Sequence, residues 1–120
     1  MRRTAALLTV LLCALPLLAG CGDDTADTPS SGDDTATIDI TFSPGSVTPK
    51  GKRVDVDAGQ PIELVVKADK PGELHVHSTP EQELKYGAGT TTLKLSIDQP
   101  GVVDVESHDL DVVIVQLEVS

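Results

Sequence analysis

The three histidines are the residues of this 120-residue chain best suited to do chemistry. His75 and His77 stand one residue apart in "GELHVH", and His108 follows in "ESHDLD". On an extended strand, residues i and i+2 project from one face about 6.5–7 Å apart, so two imidazoles there can reach one ion. A third donor is then needed. His108 shares its period with Asp104 and Glu106, and Glu106, Asp109 and Asp111 are the carboxylates nearest to it in sequence. Imidazoles with a neighbouring carboxylate suit Cu(II) or Zn(II). A plainer reading stands beside this one. Histidines on the polar face of a strand also pair with residues such as Glu73, Asp104 or Glu106 across strands, for fractions of a kcal/mol each. Whether His108 meets the pair separates a metal site at His75, His77 and His108 from a solvated polar face.

Catalysis has less support. Ser78, Thr79 and Ser107 neighbour histidines, yet no nucleophile elbow, phosphate loop or zinc-protease helix motif is present. Adjacent residues on a strand face opposite ways, so Ser107 and His108 cannot act as a pair. Asp109 and Asp111 read as a solvated turn. The expectation is a protein that is not an enzyme.

The elements that must hold these residues have period two almost throughout. "TIDITF", "RVDV", "PIELVV", "ELHVH", "TLKLSI", "VVDVES" and "VVIVQLEV" each alternate apolar with polar residues, and the last places Val113, Val115, Leu117 and Val119 on one face. Turn signals separate them: "SPGS", "DAGQP", "DKPG", "YGAG" and "DQPG". No helical stripe is long enough to matter. Six or seven half-apolar strands imply an antiparallel β-sandwich over residues 37–120, two sheets burying one face each.

Residues 1–20 have two arginines, an apolar run and a small-residue cleavage signal, the layout of an export leader. The run is broken by Pro16 and is too short for a permanent span. "LLAGC" resembles the lipobox of bacterial lipoproteins. That resemblance implies thioether attachment of diacylglycerol to Cys21, cleavage before it and often acylation of the new amino group, with palmitate-like chains anchoring an extracytoplasmic protein to the cell membrane. Cys13 leaves with the leader and Cys21 carries lipid, so no thiol remains in the folded part for metal or redox chemistry. Residues 21–36, with "GDDTADTPSSGDDTA", hold no large apolar side chain and read as a disordered acidic tether. The chain carries −10, and losing Arg2 and Arg3 takes it to −12 (−10 − 2). Nucleic acid is a poor partner for that charge, and the scarcity of aromatics, Phe42 and Tyr86, argues against base stacking. Cations remain open as partners, and a protein partner is not legible.

The order "PGELHVH", acidic loop, "LKLSIDQPGVVDVESHD", final strand "VVIVQLEVS" resembles the cupredoxin-like domains over about residues 37–120. The resemblance implies a Greek-key sandwich of about eight strands. It also implies copper at one end, held by a strand histidine and by a Cys, a His and usually a Met from the segment joining the last two strands. His75 or His77 matches the strand histidine, and His108 is nearest to the loop histidine. The departures are large: the segment is only "SHDLD", it has no cysteine, and no methionine follows Met1. A blue-copper centre requires the thiolate, so that electron-transfer chemistry is excluded by composition. Two readings remain, a lipid-anchored binding or interaction module without metal, and a copper or zinc protein serving storage, delivery or sensing.

Overall fold

Alternation of period two becomes nine strands among the described residues. The computed structural model describes residues 34–120; the leader, Cys21 and the tether up to residue 33 lie outside the described residues. The strands are β1 (Ala36–Ser43), β2 (Ser46–Thr48), β3 (Lys52–Val56), β4 (Ile62–Ala68), β5 (Gly72–Val76), β6 (Gln82–Tyr86), β7 (Gly89–Leu95), β8 (Gly101–Ser107) and β9 (Val112–Val119). No helix occurs among the described residues. One sheet has the order β2-β1-β4-β7 and the other β3-β9-β8-β5-β6.

Each strand turns its apolar residues between the sheets. Ile38, Ile40, Ile62, Leu64 and Val66 from the first sheet meet Leu74, Val76, Val105, Ile114, Val115 and Leu117 from the second, and nearly all are fully buried. Burying side chains of this size is worth about 1.5–3 kcal/mol each before entropy is counted. Among the described residues, every strand and every core residue lies between Ala36 and Val119.

The sandwich is all-β as its sequence implies, but the sheets are mixed. β1 pairs parallel with β4, and β3 parallel with β9. Turn signals constrain only consecutive strands, and the consecutive pairs β1-β2, β5-β6 and β8-β9 are indeed antiparallel. β3 instead leaves β2 for the opposite sheet, so β4 returns beside β1 running the same way; the crossover that a parallel pair needs is itself a strand. Two strands exceed the seven apolar runs. β2 has three residues and β6, "QELKY", runs through a stretch that reads as an acidic loop. Both are sheet edges, where half-exposed polar residues blur the alternation.

Gly72 opens β5 for a steric reason. A Cβ there would overlap the Tyr86 hydroxyl and ring. Tyr86 is buried and stacked on Phe42 with centroids 5.0 Å apart, so it has little room to yield.

Candidate metal centre

The core dictates which side chains reach the outer face of the five-stranded sheet. Leu74 and Val76 point inward, so Glu73, His75 and His77 point outward; Val103, Val105 and Ser107 point inward, so Asp104, Glu106 and His108 point outward. β5 and β8 are hydrogen-bonded neighbours, with His75 opposite Glu106, and the His77 N–H continues the ladder by donating to the Asp104 carbonyl at 2.9 Å. The two polar rows therefore lie side by side.

The β8-β9 hairpin then aims His108. Val105 pairs with Val115 but Glu106 pairs with Val113, so Ile114 is an extra residue, a bulge opposite the step from Val105 to Glu106. Bulges bend a strand and re-aim its side chains. This one buries both Ile114 and Val115 and leaves Val113 only partly covered, a departure from strict alternation in the last strand. The connection closes in four residues, the Asp111 N–H donating to the His108 carbonyl at 3.3 Å and Asp111 taking φ +51°. A loop this short folds His108 back over the sheet.

His77 Nε2 lies 2.8 Å from Glu106 Oε2, and His108 Nε2 lies 3.9 Å from the same oxygen. One donor atom each from His77, Glu106 and His108 falls within 4.8 Å of the others. A second such group is Glu73, His75 and Glu83. All three histidines thus gather on one face, but not around one point. The His75 and His108 rings stack, with centroids 3.7 Å apart and 13° between planes. Imidazole lone pairs lie in the ring plane, so stacked rings direct them along parallel planes and cannot both bind one ion at about 2.0–2.1 Å.

His75 is the most enclosed of the three, its side chain 13 % exposed. Its Nε2 is 2.9 Å from Glu73 and its Nδ1 3.4 Å from Glu81. Burial of the ring favours the neutral form. Hydrogen bonds to the Glu81 and Glu73 carboxylates, with the charges of Glu73 and Glu83, outweigh it and raise the His75 pKa above the ordinary imidazole value. Glu81 is brought here by a tightly tied loop: the Ser78 hydroxyl donates to the Pro80 carbonyl at 2.7 Å and Gln82 Nε2 donates to Ser78 Oγ at 3.1 Å.

Of the carboxylates named from sequence, Glu106 joins the imidazoles, while Asp109 and Asp111 belong to neither donor group. Asp109 instead lines a shallow pocket with Phe42, Asp69, Lys70, Tyr86 and Leu110, and Asp111 closes the turn. Sequence spacing does not point to Glu81 or Glu83. The signal that places Glu83 is the β5-β6 register, which sets it opposite His75, and that register requires β6 to be recognised as a strand.

Beside the turn, on its inner side, stand Tyr86 and Phe42, and burial together with the charges of Asp109 and Asp69 raises the Tyr86 pKa. Residues 34–120 hold neither cysteine nor methionine, so the donors of a blue-copper centre are missing and the group does not fit.

No family model matches this sequence, and no curated protein does. Solved structures do. A purple cupredoxin from Nitrosopumilus maritimus superposes with a TM-score of 0.51 at 15 % identity, over 71 % of this chain and 99 % of that one. The chain has a cupredoxin-like fold. A variant of amicyanin in its reduced Cu(I) form at pH 4 gives 0.52 at 10 % identity, over 74 % of this chain and 85 % of that one. A multi-copper oxidase from Pseudomonas thermotolerans gives 0.52 at 15 % identity, but the match spans only 30 % of that longer chain. Identities this low carry the cupredoxin-like fold and nothing of the chemistry.

Proposed function

We propose that this chain is a lipid-anchored extracytoplasmic protein whose cupredoxin-like domain binds a divalent transition-metal ion, Cu(II) or Zn(II), through His77, Glu106 and His108. It serves storage, delivery or sensing rather than blue-copper electron transfer. The observation that carries the reading is the meeting of these three side chains from β5, β8 and the β8-β9 turn. Two imidazoles and one carboxylate form a donor set that divalent ions of this kind accept, with coordination positions left for water or a partner's ligand. The acidic character of the chain, −10 overall, draws cations towards it. Anchoring rests on "LLAGC" and Cys21.

A second reading draws on the same distances. His75 and His77 already stand beside Glu73, Glu81 and Glu106, so the face can serve as a self-satisfied polar network that docks a protein without metal.

Titration of the domain from Gly22 onward with Cu(II) and Zn(II) separates the two. Binding at micromolar or tighter affinity that is lost in His108→Ala and His77→Ala supports the metal reading. Millimolar binding indifferent to both substitutions leaves the interaction module.

A further inference from the structure

We infer that the same outer face takes a second divalent transition-metal ion at Glu73, His75 and Glu83, beside the one at His77, Glu106 and His108. The inference rests on the reading of this face as a metal-binding surface and extends it.

Three donors from two strands build the second site. Glu73 and His75 are alternate residues of β5 on its outward side, and the β5-β6 register sets Glu83 directly opposite His75. One atom from each lies within 4.8 Å of the others. The ring of His75 is not free to serve elsewhere. Its stacking on His108 at 3.7 Å forbids a shared ion, while its Nε2 is directed at Glu73 at 2.9 Å, into this second group.

Charge points the same way. Glu73 and Glu81 both contact His75, and Glu83 completes the donor group, so three carboxylates surround one imidazole. Lys85, opposite Glu73 in the register, supplies one positive charge against them. A divalent ion here offsets the remaining repulsion at short range, where charge interactions are strongest. The donors also differ in kind. The first group offers two nitrogens and one oxygen, the second one nitrogen and two oxygens, so the second is harder and more exposed to competition from water. Zn(II) suits both, and the imidazole-rich group fills first. Occupancy of the first raises the cost of the second, because like charges then lie on either side of one stacked ring pair.

Calorimetric titration of the domain from Gly22 onward with Zn(II) tests this, with imidazole proton resonances followed in parallel. The expected stoichiometry is two ions, the His77 and His108 resonances moving in the first step and those of His75 in the second. Glu83→Gln, on an exposed edge strand and separated from Glu106 by β5, is expected to remove the second step alone, and His75→Ala to do the same. His108→Ala is expected to remove the first and keep the second. A parent stoichiometry of one, lost in His108→Ala and unchanged in Glu83→Gln, overturns the second site and leaves the first standing. Titration curves that none of the variants alters overturn both.

Discussion

His75 shows how a single side chain can report on its surroundings. Its pKa is raised on folding, so its protonated form stabilises the native state. That contribution is complete below about pH 6.5, the value of a free imidazole, and is lost as pH rises through the higher folded value. The metal-free domain is therefore expected to lose stability as pH rises above about 6.5, and His75→Gln to flatten the loss, as denaturation midpoints across a pH series will show. Ser107 makes the opposite kind of statement. It is fully buried, and its hydroxyl has no hydrogen-bond partner. An unpaired buried hydroxyl costs about 1–3 kcal/mol, so Ser107→Ala is expected to raise stability by about 1 kcal/mol in denaturant titration. A fall of that size would contradict the burial argument. Period two alone foretold that Ser107 and His108 face opposite ways, and one is buried, the other exposed. What it could not foretell is the stacking of His75 on His108, which depends on ring rotation and on how far the turn folds back.

At the scale of elements, the hairpin of β8 and β9 does the aiming. Asp111 sits at φ +51°, a region that aspartate tolerates and β-branched residues do not. Asp111→Val is expected to cost about 1–2 kcal/mol and to weaken metal binding, whereas Asp111→Gly keeps both. Denaturation and titration on the two variants check this, and equal behaviour would remove the turn from the account. The strand β5 is constrained from its other end. Gly72→Ala drives a methyl group into Tyr86, which is held against Phe42, and overpacking of that sort costs about 1–3 kcal/mol. Seven of the nine strands are legible as alternating runs, and β5 and β8 among them place the histidines. β6 was hidden because "EQELKY" mixes charge with two apolar residues, as an edge strand does. Its concealment also hid Glu83. The parallel pairs β1-β4 and β3-β9 were beyond reach for another reason: pairing across a crossover is set by which sheet each strand joins, and local patterning is silent on that.

At the scale of the whole molecule, the fold and its chemistry part company. The sandwich superposes on copper proteins at identities of 10–15 %, yet the segment between its last two strands is a tight turn without thiolate or thioether. Composition already ruled out the blue-copper donors, because that conclusion needs only residue types. Gathering the histidines needed the sheet order. The gathered histidines lie on the outer face of the five-stranded sheet instead of inside the end of the sandwich. If Cys21 is the anchor, Cys21→Ser is expected to abolish palmitate incorporation and release the protein from the membrane fraction, while continued membrane retention would count against it. The central claim is that one ion is held by two imidazoles and Glu106. The most direct measurement is pulsed electron paramagnetic resonance of the domain with one equivalent of Cu(II), counting coordinated imidazole nitrogens. Two are expected, falling to one in either His77→Ala or His108→Ala and remaining two in His75→Ala. Three coordinated imidazoles, or a spectrum that none of these substitutions alters, would contradict it.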